Sequence, residues 1–112
     1  RIQFFLTGVF KMDYLEEVTS RFKEAIVNGP TPQKSLKINL KNLGFVVVTQ
    51  TTVSNDDTEA DTTITMGQKD FQDLVAGKLN PPVAFMQGKI KINGDPTAAL
   101  QWLPVIQRTS GA

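Results

Sequence analysis

The chain has 112 residues, of which 40% are hydrophobic and 21% charged, with a net charge of +1 at pH 7. That length suits one domain with its own core, and that composition argues against disorder. The near-zero charge supplies no basic field for nucleic acid, and the lack of any cysteine or histidine excludes disulfides, thiolate metal sites, thiol nucleophiles and the commonest general base.

The first segment, Arg1 to Met12, has two readings. Ile2, Phe4 and Leu6 alternate as in a strand, whereas Ile2, Phe5 and Val9 fit helical spacing. It is expected to be core or a packed arm; a lid, a membrane-touching segment and a linker from a larger protein stay open. A start at Arg1 rather than Met reads as a processed or excised piece, so N-terminal targeting is not legible.

Asp13 to Val27 reads as an amphipathic helix. Tyr14, Leu15, Val18, Phe22, Ala25 and Ile26 form its apolar stripe, Asp13 caps its start and Gly29-Pro30 stops it. Leu36, Ile38 and Leu40 then alternate with Lys37, Asn39 and Lys41, the pattern of a half-buried antiparallel strand. Asn42-Leu43-Gly44 supplies a turn, and Phe45 to Thr52 is rich in β-formers. Gln50-Thr51-Thr52 either continues that strand or reverses it into Val53. The acidic and amide residues from Asn55 to Asp61 lack the spacing and terminal Glu of a calcium loop, so no metal site is expected there.

Ala60 to Met66 is a further strand, with Thr62, Ile64 and Met66 on one face. Helical signals return after Gly67: Phe71, Leu74 and Val75 share a face and Gly77 ends it. Asn80-Pro81-Pro82 starts a short helix that Gly88 stops, and Ile90 and Ile92 alternate with Lys89, Lys91 and Asn93 in an exposed-edge type of strand. Asp95 and Pro96 cap a last helix carrying Ala99, Leu100, Trp102, Leu103 and Ile106. Pro104 is expected to kink or end it near Leu103, and Arg108 to Ala112 is expected to fray.

Catalytic signatures are missing. No Ser-His-Asp or Cys-His group can form, and neither a G-x-x-x-x-G-K-[ST] loop nor a G-x-G-x-x-G turn occurs. Large flexible apolar residues are plentiful instead, and from composition alone they are expected as packed core, with a ligand cavity as the minority reading.

Three blocks in order, A-D-T-T-I-T-M from Ala60, D-F-x-x-L-x-x-G-K-L-x-P from Asp70 and A-F-M-x-G-K-I-K-I-x-G-D from Ala84, resemble the sterol carrier protein 2 (SCP-2) family of lipid-binding domains. The resemblance implies one α/β (α+β) domain over the chain, with a five-stranded, mostly antiparallel sheet covered on one side by helices. It further implies a non-catalytic protein without cofactor or metal that binds or transfers a fatty acid, fatty acyl-CoA, sterol or phospholipid in a hydrophobic tunnel. Ile64 and Met66 would reach that tunnel from the strand, Phe71, Leu74 and Val75 would cover it, and Phe85 and Met86 would wall it. Gln87 would give a polar contact at its mouth, and Leu100 and Leu103 would come from the lid-like last helix.

The implied partner is a lipid or other hydrophobic small molecule, not nucleic acid, handled by a monomer or weak dimer. Lys89 and Lys91 are expected mainly as strand-surface solubilisers, with transient contact to a membrane or anionic head group as the minority role. Relative to the family, the meander before Ala60 is short, so one strand is either trimmed or supplied by Arg1 to Thr7. Ser110-Gly111-Ala112 is not the S-K-L peroxisomal address, and the compartment is not legible. The competing expectation is an accessory or dimerisation domain of a larger protein with a filled core.

Overall fold

The structure, a computed structural model, describes residues 13–109. In chain order it contains α1 (Tyr14–Val27), β1 (Leu36–Leu40), β2 (Gly44–Val48), β3 (Val53–Ser54), β4 (Thr62–Met66), α2 (Gln68–Val75), α3 (Pro81–Met86), β5 (Lys91–Gly94), α4 (Pro96–Gln101) and α5 (Leu103–Gln107). The five strands lie in the order β3-β2-β1-β4-β5. Every neighbouring pair is antiparallel except β1 and β4, which run parallel. The sheet therefore has the mostly antiparallel character expected. Its short strand is β3, where Val53 and Ser54 pair with Val48 and Val47. The alternative strand from Arg1 to Thr7 falls outside the described residues.

Register turns the sequence alternation into a single apolar face. Leu36 pairs with Val48 and Thr62, Ile38 with Val46 and Ile64, and Leu40 with Met66, while Ile64 also faces Ile92. Because side chains repeat with a period of two, all of these lie on the same side of the sheet. The helices cover that side, and Val18, Phe22, Phe71, Leu74, Trp102 and Ile106 complete the core.

The opposite face carries Lys37, Asn39, Thr63 and Thr65. There the Lys37 ammonium lies 4.6 Å from the Phe45 ring centroid and pairs with Asp57. That pair holds the chain between β3 and β4 against the face away from the helices. Two further side chains of this stretch serve structure: Asp61 accepts from the Ser35 backbone N–H at 2.8 Å, and the Asn55 amide donates to Thr19 Oγ1 and the Phe45 carbonyl at 2.9 and 2.8 Å. Gly94 ends β5 with φ +100°, and a Cβ there would lie 2.6 Å from the Asp61 carbonyl oxygen. Both the conformation and the close approach call for glycine.

Three helices, α1, α3 and α4, start with the side-chain caps their sequences signal. Asp13 and Glu16 form a reciprocal capping box on α1, Asn80 accepts from the Val83 N–H on α3, and Asp95 accepts from the Thr97 N–H on α4. The last helix is interrupted next to Leu103, where Pro104 was expected to kink or end it. The break falls at Trp102, and Pro104 sits in the first turn of α5, where a missing N–H leaves no helical bond unmade.

The expected fray from Arg108 is corrected over the two residues described. Arg108 donates to the carbonyls of Ala25 (2.7 Å) and Pro30, and Thr109 is buried with its hydroxyl bonded to the Ile106 carbonyl at 2.6 Å. A guanidinium can satisfy two carbonyls at once, which ties the end of α5 to the end of α1. Ser110 to Ala112 and the apolar segment Arg1 to Met12 lie outside the described residues.

Candidate functional site: an apolar cavity beside beta4 and beta5

The helical layer does not fill the whole face of the sheet. Over β4 and β5 it leaves a cavity of about 260 Å³. Ile64 and Met66 of β4, with Ile90 and Ile92 at β5, form its floor. Leu74 of α2 and Pro81, Pro82 and Phe85 of α3 form one wall; Pro96, Ala99 and Leu100 of α4 with Leu103 of α5 form the other. All twelve lining side chains are apolar. Phe85 and Leu100 are each about half exposed, at 51% and 52%, so they make the rim where the cavity meets solvent.

Local chemistry explains why this region can stay open. α3 and α4 are six residues each, too short to persist by helix propensity alone. Each has Pro in its first turn and a side-chain N-cap, which fix the entry geometry without relying on a filled core. α4 is also tethered from outside. The Lys34 ammonium lies 2.9 Å from the Asp95 carboxylate, and the Trp102 indole N–H donates to the Lys34 carbonyl at 2.8 Å. One residue of the α1–β1 link thus holds both ends of the α4 wall.

Six of the side chains expected at a tunnel do meet in the cavity: Ile64, Met66, Leu74, Phe85, Leu100 and Leu103. Four do not. Phe71 is buried, but its ring packs edge-on to Tyr14 and tilted against Phe22, each at 6.5 Å between centroids. It therefore points toward α1, whereas Leu74, three residues on, points toward the cavity. Val75 packs against the core without lining the cavity. Met86 follows Phe85 by one position, roughly 100° around the helix, and is 84% exposed. Gln87 is the exposed C-cap of α3, its backbone N–H bonded to the Val83 carbonyl at 2.9 Å.

The six lining residues not expected are Pro81, Pro82, Ile90, Ile92, Pro96 and Ala99. The alternation of Ile90 and Ile92 carried a signal for a buried face. The prolines read only as helix starters, and the small Ala99 gave no signal beyond core.

On the far side of α4 lies a more open cleft of about 630 Å³ with a mixed lining, bordered by the 30–34 link, Asp95, Thr97, Gln101, Pro104, Val105 and Arg108. Of its charged groups, Lys34 and Asp95 pair with each other and Arg108 bonds the Ala25 and Pro30 carbonyls. The Lys34 hydrogen bond, helped by the Thr97 N–H, holds the Asp95 carboxyl below its ordinary value, and Asp95 in turn raises Lys34. In the cavity itself there is no acid, base or nucleophile. Among the described residues no three carboxylates converge on a metal position, and no described helix is long and apolar enough to cross a membrane.

The sequence matches the SCP-2 sterol transfer family over residues 11–107. It is similar to sterol carrier protein 2 of Gallus gallus, with 36% identity over 90 residues; the match covers 79% of this chain but only 15% of that protein. Among solved structures, sterol carrier protein domain 2 of Helicoverpa armigera superposes with a TM-score of 0.66 at 27% identity, covering 84% of this chain and 86% of the other. Palmitated SCP2L2 from Aedes aegypti gives 0.65 at 26% identity, covering 82% and 93%.

Proposed function

Since the chain belongs to the SCP-2 sterol transfer family, we propose that it binds and carries a lipid without chemically altering it, holding one apolar chain in the cavity and the polar head outside. The observation that carries this reading is the uniform lining: twelve apolar side chains and no polar group around about 260 Å³. Such a site gives affinity through area removed from water and gives no fixed point for a carboxylate or hydroxyl inside. The volume lies just below the roughly 300–1,000 Å³ typical of small-molecule pockets. It suits one unbranched acyl chain better than a rigid fused-ring sterol or the two chains of a phospholipid. The palmitate carried by the Aedes aegypti relative supports the same ligand class.

Burial of a methylene contributes about 0.8 kcal/mol, so about eight of them give ~6 kcal/mol before ordering costs. Ordering costs lower the net figure, but each further methylene the cavity accepts should tighten binding about four-fold. A native mass spectrum of the protein as purified, followed by organic extraction, tests the proposal. It should show a fraction carrying single-chain lipid. A protein that emerges empty and does not bind a fluorescent fatty acid would count against the reading.

A further inference from the structure

α3 presents its apolar side chains outward. Ala84 is its one fully buried side chain, while Val83 is 46% exposed and Met86 84%. Phe85 and Leu100, half exposed at the cavity rim, make this surface continuous with the mouth. An exposed apolar patch that joins a ligand mouth marks an interaction surface more often than chance exposure does.

Along the chain, the charge on either side of α3 has one sign. From residue 74 to residue 94 the sequence contains Lys78, Lys89 and Lys91 and no acidic residue, although the whole chain is nearly neutral. Lys78 lies two residues before the N-cap of α3 and Lys89 three residues after its last residue. Both are exposed, and neither forms an ion pair among the described residues. The acids that bound the run, Asp73 and Asp95, are paired with Lys69 and Lys34. Lys91 alternates with the inward-facing Ile92 and belongs to the other side of the sheet.

We propose that α3 and the cavity mouth dock on the surface of an anionic lipid leaflet. Val83 and Met86 enter the boundary between head groups and acyl chains, Lys78 and Lys89 meet the phosphates, and the gap between Phe85 and Leu100 opens against lipid. The inference rests on the reading of the cavity as a lipid site. Apolar side chains flanked by cations match a leaflet in both respects. A second copy matches only the first, because a two-fold contact through α3 would bring the same lysines toward each other.

Flotation with vesicles of phosphatidylcholine alone, and of phosphatidylcholine mixed with phosphatidylserine, tests this. The protein should float with the mixed vesicles, less with the neutral ones, and less in high salt. Val83→Ser combined with Met86→Ser should abolish flotation. Lys78→Gln and Lys89→Gln should each weaken it about five-fold. Val27→Ser, at an equally exposed site on α1, should leave it unchanged.

Failure to float with either vesicle overturns the proposal, as does flotation that survives the double serine variant or is lost with Val27→Ser. So does a double variant that changes self-association in place of vesicle binding. Uptake of a fluorescent fatty acid from solution separates the two readings, because Val83 and Met86 do not line the cavity. Uptake without vesicle binding rejects docking alone. Vesicle binding through α3 without uptake rejects the cavity as a lipid site and leaves the docking surface standing.

Discussion

Two halves of one helical layer lie on the same apolar sheet face and are built differently. On the α1 side, Phe22, Phe71 and Trp102 interlock with Leu36, Ile38 and Val46, and all are buried. On the α3–α4 side, two capped six-residue helices with proline starts leave about 260 Å³ unfilled above Ile64, Met66 and Ile92. The solid half can hold the fold, so the hollow half need not be filled to keep its shape. Stability and ligand affinity should therefore be separable by substitution.

Phe71→Ala probes the solid half and should have the largest effect. Loss of a buried aromatic that contacts Tyr14 and Phe22 should cost about 3–5 kcal/mol in denaturant unfolding. A cost under about 1 kcal/mol would mean that the two halves share the load. Ala99→Leu probes the hollow half. Its added carbons project into the cavity and displace about two methylenes of ligand, so affinity should fall about ten-fold or more, with stability changing by no more than about 1–3 kcal/mol. If binding were unchanged, the ligand would have to sit elsewhere.

Asn80→Ala removes the cap of α3 and should cost about 1 kcal/mol of stability while loosening the α3 wall, seen as faster ligand release. The smallest effect is expected from pH. Asp95 is depressed by Lys34, so the pair's contribution is complete above the ordinary carboxylate range and is lost as pH falls through the lowered folded value. The raised Lys34 gives the mirror case, a contribution lost only as pH rises through its elevated value. Both groups are solvent-exposed, so the change in Tm should be slight and should shrink further in salt.

Local signals in the sequence were strong where they concern the backbone. The Asp13 cap, the Gly77 and Gly88 stops and the Asp95-Pro96 start all mark real helix ends, and strand alternation identified the apolar face from Leu36 to Met66. The family resemblance supplied the five-stranded, mostly antiparallel sheet with helices on one side; the strand order came only with the structure.

What could not be read locally was which apolar side chains touch one another. Phe71 and Phe85 occupy similar helical settings, yet one packs into the aromatic core and the other rims the cavity, because α1 lies over the first and, among the described residues, no element covers the second. Met86 was legible as apolar but not as exposed. Arg108 looked like a charged tail residue because its acceptors, the Ala25 and Pro30 carbonyls, lie about eighty residues earlier.

The central claim is that the hollow half holds one apolar chain by area alone. Displacement of a fluorescent fatty acid by saturated fatty acids of increasing length measures this directly. Affinity should rise about four-fold per methylene and then level off once the cavity is full. Affinity independent of chain length, or equal affinity for a short carboxylate, would contradict it by showing that a polar contact, and not the apolar cavity, holds the ligand.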